Sequence, residues 1–545
     1  MIRPNPEREG AAETPRVRRK GRREMIQIYD TTLRDGTQRE GISLSCEDKI
    51  RIARRLDDLG IAFIEGGWHG SNPKDVEFFR QAQEIEWKTA RIASFGSTCR
   101  VGGEPEDDAN VRALLDSGTS VCTVVGKTWT LHVTEVLRTS LDENLRIIEK
   151  SLACLRSQGR RIIYDAEHFF DGYRADPVYS VETLKAAVRG GAETLVLCDT
   201  NGGSLPWQVA EIVREVQKAV GHPLGVHCHN DAENAVANSL EAIRSGAIQV
   251  QGTINGYGER CGNANLCSII PTLELKMGMP CLPSGGLQSL HELSHFVAEV
   301  ANLSPDEHLA YVGHSAFAHK GGIHVAAMRR TADSYQHIDP ALVGNHSRVV
   351  VSELSGRSNL LAKAEEYGVT GEVDMTLVLS DIKALEARGF SFEAAEGSVA
   401  MMMKRQQPGY VAPFELVDFL VNVQHRTGRG IFSEAMVKIR VEGEVLHTAA
   451  EGDGPVDALD KALRKALVRH FPDVYELHLR DYKVRVLDSE CEAAAVARVL
   501  IDMQEDGHRW STVGASTNII EATWIALVDA IEYGLTIALP SGKKG

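Results

Sequence analysis

The sequence predicts an α/β fold in which a (β/α)₈ TIM barrel is followed by a mostly helical region and a C-terminal α+β domain. Eight short runs rich in β-branched and apolar residues alternate with helical patterns over about 250 residues. Several helical patterns end at a glycine just before the next run, which is typical of helix C-caps. A doubly wound open sheet would normally place a glycine-rich phosphate loop after its first strand, and residues 30–38 do not form one. A closed barrel is therefore favoured.

The alternation divides residues 25–290 into strand and helix candidates, and we expect this range to be the catalytic domain. The strands are predicted near residues 26–29, 62–65, 91–95, 120–125, 161–164, 194–198, 224–227 and 248–252. The helices between them are predicted near residues 46–59, 72–85, 141–158, 181–189, 206–220 and 231–245. Gly60 and Gly159 each stand at the predicted end of a helix.

The chain outside the barrel has three further parts. Residues 1–24 carry seven Arg and one Lys against four Glu and lack an apolar stretch, so we predict a disordered basic tail. Residues 291–424 are predicted to be mostly helical accessory segments, and residues 424–430 to be a linker. Residues 425–545 contain two similar halves, each with strands and then an Ala-rich helix, which is typical of a regulatory or dimerisation domain.

Composition excludes several classes of protein. The chain of 545 residues is 43% hydrophobic and 25% charged, as in ordinary globular proteins. A net charge of −15 argues against a nucleic-acid partner, which needs a basic surface. The 10 cysteines form no C-x-x-C pair, which fits a reducing compartment, and no apolar run approaches the ~18 residues that span a membrane. We therefore expect a cytoplasmic protein without a membrane segment.

The most specific chemical signal is the pair His227 and His229 at the end of the seventh strand. Residues i and i+2 of a strand point the same way, so both imidazoles can reach one ion. Strands 7, 8 and 1 are neighbours in a closed barrel, so Asp35 can complete the site and Asn263 can add a further oxygen. Two histidines and a carboxylate leave positions open for substrate, as in catalytic metal sites. The alternative is a polar strand end that holds no ion.

Three motifs together resemble the 2-isopropylmalate synthase/homocitrate synthase superfamily, whose members condense acetyl-CoA with a 2-oxo acid. They are D-T-T-L-R-D-G-T-Q at residues 30–38, H-C-H-N-D at 227–231 and N-G-Y-G-E-R-C-G-N at 255–263. Residues 65–75 are most similar to the long citramalate synthase branch, which uses pyruvate. The resemblance implies that pyruvate and acetyl-CoA are converted to (R)-citramalate, on the pyruvate route to isoleucine. It also implies a divalent metal ion (Mg, Mn or Zn), a homodimer and feedback through the C-terminal domain.

The resemblance also assigns roles to individual side chains. Arg34 would stabilise the alkoxide formed from the ketone, and Thr200 and Tyr164 would contact the oxo acid. Glu167 matches an active-site glutamate of the family, although a loop carboxylate that pairs with a nearby Arg remains an alternative. His324, with Tyr335 as a relay, would be the base for the thioester methyl, supplied by the partner subunit.

A candidate effector site lies in the C-terminal domain, at Gly514, Ala515 and Ser516 before a helix that starts at Ile519. Small residues and free helix N–H groups can bind a carboxylate, and simple helix capping is the alternative. Three other functions stay open: the same chemistry on 2-oxoisovalerate or 2-oxoglutarate, a lyase of the hydroxymethylglutaryl-CoA type, and a catalytically silent barrel that binds an effector.

Overall fold

The computed structural model describes residues 25–352, 355–367, 369, 373–428, 430–487 and 495–539. The predicted basic tail at residues 1–24 lies outside this range. The chain divides into two units, the first comprising Met1–Ala316 with Pro340–Asn345 and the second comprising Phe317–Asp339 with His346–Gly545. None of the helices in the described ranges is long and apolar enough to cross a membrane. The described cysteines are free thiols.

The first unit contains the predicted closed barrel, whose eight parallel strands follow one another in chain order and whose first strand pairs with the last. The strands are β1 Gln27–Asp30, β2 Phe63–Gly67, β3 Arg91–Ser97, β4 Val121–Lys127, β5 Arg161–Glu167, β6 Thr194–Asp199, β7 Leu224–Cys228 and β8 Gln249–Gly252. The helices of this unit are α1 Cys46–Leu59, α2 Pro73–Ala82, α3 Ala109–Asp116, α4 Leu141–Ser157, α5 Phe169–Ala175, α6 Pro177–Arg189, α7 Pro206–Val220, α8 Ala235–Arg244, α9 Leu266–Pro271 and α10 Leu290–Val300.

Helix α1 illustrates why the predicted boundaries hold. The Ser45 hydroxyl accepts a hydrogen bond from the Asp48 N–H, and the Asp48 carboxylate accepts one from the Ser45 N–H, which completes a capping box. The helix ends at Gly60, whose φ of 98° is readily adopted only by glycine. Between these caps, Ile52 and Leu56 are fully buried against the strands.

Side chains of the strands alternate between two cores. Those that point outward pack under the helices, and those that point inward fill the barrel with a small cluster formed by Tyr29, Phe63, Ala93, Val121, Ile163, Val196 and Cys198. Toward the C-terminal ends of the strands the inward positions become polar and stay buried, at Glu65, Thr123, Asp165, His227 and Gln251. Buried polar groups need partners, so this end of the barrel is where chemistry is expected.

The second unit begins with helices and ends with a duplicated α+β domain, as predicted. Its elements are β9 Ala318–His319, α11 Gly322–Met328, β10 Arg348–Val349, α12 Arg357–Glu366, α13 Met375–Glu386, α14 Glu396–Arg405, β11 Glu415–Arg426, β12 Gly430–Val441, β13 Glu444–Gly452, α15 Pro455–Leu467, β14 His478–Val486, β15 Ala497–Glu505, β16 His508–Ser516 and α16 Ile519–Tyr533. Two three-stranded antiparallel sheets, β11–β13 and β14–β16, are each followed by one long helix.

The predicted linker at residues 424–430 is wrong, because this stretch closes a β-hairpin. Strands β11 and β12 pair up to Arg426 and Gly430, and residues 415–424, predicted to be helical, belong to β11. Gly428 and Gly430 have φ values of 83° and 77°, which a tight turn requires and other residues rarely adopt. The glycines therefore mark a turn within the domain.

Candidate active site

Five of the predicted site residues line one cavity at the C-terminal ends of the barrel strands. The cavity has a volume of about 470 Å³, and these five residues are Arg34, Asp35, Glu167, Thr200 and His229. They come from β1, β5, β6 and β7 or the turns that follow. Barrel closure thus brings together side chains that are far apart in sequence, at the face where TIM barrels carry their active sites.

Asp35, His227 and His229 form a buried cluster whose ligand atoms all lie within 4.8 Å of one another. The His227 Nε2 atom is 3.3 Å from His229 Nε2 and 3.5 Å from Asp35 Oδ2, and His229 Nε2 is 3.9 Å from the same oxygen. Ligands about 2.1 Å from one ion stand about 3 to 3.5 Å apart, so a small side-chain adjustment would seat a divalent cation.

The protonation states of the cluster also suit a cation. Burial, followed by the neighbouring His229, lowers the pKa of His227 to about 4, so the ring is neutral and has a lone pair to offer. Burial raises the pKa of Asp35, but the pKa is nevertheless lowered, chiefly by the charge of the Arg34 guanidinium, so the carboxylate is ionised. One carboxylate and two neutral imidazoles are the donor set of a catalytic metal site.

Unpartnered buried atoms support the same interpretation. Asp35 Oδ1, His229 Nδ1 and Asn263 Oδ1 are buried, and none of them has a hydrogen-bond partner. Asn263 pairs with His229 in an isolated β-bridge, and its Nδ2 atom donates to the Tyr257 carbonyl at 3.1 Å, which fixes the amide. Buried polar atoms are rarely left without partners, and an ion held by this cluster would satisfy the Asp35 and Asn263 oxygens.

Arg34 is held by contacts on several sides. Its Nε donates to Glu65 Oε1 at 2.5 Å, its Nη1 donates to Asp35 Oδ2 at 3.1 Å, and its guanidinium carbon lies 3.9 Å from the centre of the Phe95 ring. Glu65 is itself fixed, because the Tyr29 hydroxyl donates to its other oxygen at 2.6 Å. The guanidinium is therefore preorganised beside the cluster of Asp35, His227 and His229, where it can stabilise developing negative charge.

Asp30 shapes the turn that carries Arg34 and Asp35. Its carboxylate accepts hydrogen bonds from the Thr32 N–H at 2.9 Å and from the Thr32 hydroxyl at 2.8 Å. The Thr32 hydroxyl oxygen in turn accepts from the Ile254 N–H at 2.9 Å, in the segment that follows β8. This network ties the turn after β1 to the turn after β8.

Glu167 and Thr200 line the same cavity as Asp35 and His229. Lys127, which the sequence analysis missed, forms an ion pair with Glu167 and also lines the cavity. The Thr200 hydroxyl oxygen accepts from the His168 N–H at 2.9 Å, which leaves its hydrogen available to a ligand. Glu167 is thus paired with a cation, as its alternative role required, but this cation is Lys127 and not an Arg. Its catalytic role stays a prediction.

The assignment of Tyr164 to the substrate site is wrong. Strand β5 continues to Glu167, and Ile163 and Asp165 point into the barrel, so Tyr164 points outward into the core beneath the helices. Its ring packs against Gly126, and its buried hydroxyl has no hydrogen-bond partner. The inward residue at this level is Asp165.

We expect Tyr164→Phe to leave catalysis unchanged. The substitution removes a buried hydroxyl that makes no hydrogen bond, so the free energy of unfolding should stay constant or rise by up to about 1 kcal/mol. Urea unfolding and steady-state kinetics measure both quantities. A tenfold fall in kcat/KM for the oxo acid would return Tyr164 to the substrate site.

His324 and Tyr335 belong to the second unit and contact each other. Their rings are stacked with centroids 4.1 Å apart and planes 22° apart, and both side chains are exposed. His324 lies on the short helix α11, and Tyr335 lies shortly after it. Their roles as base and relay stay predictions.

The predicted effector cradle at Gly514, Ala515 and Ser516 is not formed. These residues end strand β16, and a Cβ on Gly514 would meet the Ala522 carbonyl oxygen at 2.0 Å, so this glycine serves close packing of strand on helix. Asn518 caps helix α16, and Ser516 donates to Glu521 in its first turn. Helix capping, the alternative, describes this geometry.

Several further functional candidates point into the barrel and belong to none of the three sequence motifs. They are Tyr29, Glu65, Lys127, Asp165 and Gln251. A signal was present, because each lies at an inward position of a strand, where apolar residues are usual. Counting positions from the inward-facing Ile163 would have selected Asp165 and rejected Tyr164.

Comparisons with known proteins show the family to which the chain belongs. Residues 25–297 match the HMGL-like family, 311–389 match the homocitrate synthase post-HMGL domain-like family, and 393–535 match the LeuA allosteric (dimerisation) domain. The (R)-citramalate synthase of Geobacter sulfurreducens is 53% identical over 515 residues, which cover 94% of this chain and 98% of that protein. The chain belongs to the (R)-citramalate synthase family. The predicted superfamily and barrel fold are thereby confirmed.

Two further relatives, with different names, differ in their identity to this chain. The (R)-citramalate synthase of Synechocystis is 52% identical over 94% of this chain and 96% of that protein. The 2-isopropylmalate synthase of Methanocaldococcus jannaschii is 31% identical over 93% of this chain and 94% of that protein. Similarity thus covers more than nine-tenths of the chain, and it is greater to these two citramalate synthases than to this 2-isopropylmalate synthase.

Proposed function

We propose that the protein condenses acetyl-CoA with pyruvate to give (R)-citramalate and CoA. The observation that carries the proposal is the buried cluster of Asp35, His227 and His229 with the guanidinium of Arg34 beside it. A 2-oxo acid presents a carboxylate and a ketone on adjacent carbons, which such a site can hold together. Relatives that carry the name (R)-citramalate synthase, at 47–53% identity, support pyruvate as the oxo acid.

The site residues divide the chemistry among them. Asp35, His227 and His229 would hold a divalent ion, with Asn263 as a further oxygen, and this ion would supply a Lewis acid for the ketone. Arg34 donates hydrogen bonds to the oxygen that becomes an alkoxide, and the Thr200 hydroxyl donates to the pyruvate carboxylate. The His324 imidazole, with Tyr335, removes a proton from the thioester methyl, whose carbon then bonds to the ketone carbon of pyruvate. The ketone oxygen becomes an alkoxide and takes up a proton. Water then cleaves the thioester of this product, which releases (R)-citramalate and CoA.

The donor set limits the choice of ion. The candidates are Mg, Mn and Zn, and two imidazole ligands favour Mn or Zn, because Mg prefers an all-oxygen shell. Glu167, held by Lys127, lines the same cavity as Asp35 and His229. We propose that it orients the acetyl group or the water that cleaves the thioester.

A substrate panel tests the proposed reaction. Purified protein with acetyl-CoA and Mn²⁺ is offered pyruvate, 2-oxobutyrate, 2-oxoisovalerate or 2-oxoglutarate, and free CoA is measured against a blank without oxo acid. We expect kcat/KM for pyruvate to exceed the others by about tenfold or more. A preference for 2-oxoisovalerate would contradict the assignment of pyruvate. Absence of CoA release with every acid would contradict a synthase.

We further propose that the protein is a homodimer in which each subunit supplies His324 to its partner's barrel. Co-expressed His227→Ala and His324→Ala chains should then regain about a quarter of wild-type activity, because half of the dimers carry one complete site. Each variant alone should be inactive. If the mixed dimers are inactive as well, His324 does not act in the partner's barrel.

A further inference from the structure

Three buried polar side chains form a hydrogen-bonded chain across the barrel interior. His227 Nδ1 is 3.0 Å from Gln251 Oε1, and Gln251 Nε2 donates to Asp165 Oδ1 at 3.0 Å. His227, Gln251 and Asp165 are 5%, 0% and 3% exposed, respectively. His227 and Gln251 are paired neighbours on β7 and β8, whereas Asp165 lies on β5, so the glutamine reaches across the lumen.

The hydrogen bonds that join His227, Gln251 and Asp165 each have a defined direction when a cation is bound. The Nε2 atom of His227 faces Asp35 and His229, so its lone pair must be free for the ion. The ring hydrogen must then reside on Nδ1, which donates to Gln251 Oε1. The amide of Gln251 consequently points its NH₂ group away from His227, toward Asp165.

Asp165 completes this arrangement because its Oδ1 accepts the amide hydrogen. A glutamine amide turned by 180° would present NH₂ to His227 Nδ1, which would require the ring hydrogen on Nε2 and would block the ion. Burial, followed by the neighbouring Glu65, raises the pKa of Asp165 well above its usual range. An asparagine keeps the shape of this side chain and the oxygen that accepts the Gln251 hydrogen.

We propose that Asp165 and Gln251 are positioning residues that fix the tautomer and orientation of His227 and thereby set the affinity of the site for its divalent ion. The inference rests on the proposed metal site. It assigns a role to two residues that contact neither the ion nor the substrate. Partners of this kind typically contribute a factor of about 10 to 100 to metal affinity.

The test measures the Kd for Mn²⁺ by the electron paramagnetic resonance signal of free Mn²⁺, using full-length protein freed of metal with a chelator. Gln251→Met and Asp165→Ala should each raise Kd by about 10- to 100-fold. Gln251→Glu keeps the acceptor for His227, and Asp165→Asn keeps the acceptor for Gln251, so both should stay within about threefold of wild type. Circular dichroism confirms folding of each variant.

Gln249→Met is the matched control. Gln249 lies one inward position earlier on β8 and is equally buried. It donates to Gln27 at 3.2 Å and makes no hydrogen bond with the side chains of Asp165, Gln251 and His227. Its replacement should leave Kd unchanged. Wild-type Kd in folded Gln251→Met, or an equal loss in Gln249→Met, would overturn the inference. If Asp165→Ala does not fold, the contrast between Gln251→Met and Gln251→Glu decides. Failure of wild-type protein to bind Mn²⁺ would instead refute the proposed metal site.

Discussion

Replacing His227 with alanine is expected to abolish both metal binding and turnover. His227 supplies one of three ligand atoms, is buried, and has its other ring nitrogen fixed by Gln251. Without it, Asp35 and His229 remain as a weak pair of ligands. Since a Lewis acid contributes several kcal/mol to the transition state, kcat should fall by about 10³-fold or more. Metal analysis after gel filtration and CoA release give the two readouts.

His222→Ala is the control for this substitution. His222 precedes the same strand at the opposite end of the barrel, where its Nε2 contacts the Ala192 carbonyl oxygen at 2.8 Å. Its loss should leave bound metal and kcat within about threefold of wild type. If His227→Ala retains both its ion and its activity, the assignment of the ligands is incorrect.

Substituting Arg34 with lysine is expected to lower kcat by about 10²- to 10³-fold, the usual effect of losing one oxyanion donor. The guanidinium contacts Glu65 and Asp35 and stacks on Phe95 at the same time. A lysine ammonium is a compact point charge without the planar fork, so it cannot keep these contacts and also face the reacting oxygen. Steady-state kinetics should show a fall in kcat that exceeds any rise in KM.

Arg100→Lys provides the comparison, because Arg100 lines the same cavity outside the metal cluster and is exposed. It should keep kcat within about threefold of wild type. Bound metal should persist in Arg34→Lys, which distinguishes this variant from His227→Ala. Near wild-type kcat in Arg34→Lys would show that Arg34 does not stabilise the alkoxide.

Much of the barrel could be predicted from local signals. The predicted helices at residues 46–59 and 206–220 coincide with α1 and α7, because Ser45, Gly60, Pro206 and Gly221 mark their ends in sequence. The cluster of Asp35, His227 and His229 could also be predicted, because barrel closure places strands 1 and 7 on either side of strand 8. These predictions required only the hydrophobic periodicity, the helix-capping residues and the order of the strands in the barrel.

The predictions from sequence were wrong or incomplete where the position of one residue in a strand, or a contact between residues far apart in sequence, determines the structure. Strand β5 extends further than predicted, and an error of one position moves a side chain from the lumen to the outer core, as for Tyr164. The hydrogen bond between Gln251 and Asp165 joins strands on different sides of the lumen, and no local sequence pattern predicts such a contact. The hairpin between β11 and β12 resembled a linker because turn glycines occur in both.

The central claim is that a divalent ion at Asp35, His227 and His229 supports condensation of acetyl-CoA with pyruvate. Chelator-treated protein is titrated with Mn²⁺, and bound ion and (R)-citramalate formation are measured on the same samples. We predict that product formation rises in proportion to bound ion and saturates at about one ion per chain. Full activity in protein that carries no bound ion would contradict the claim.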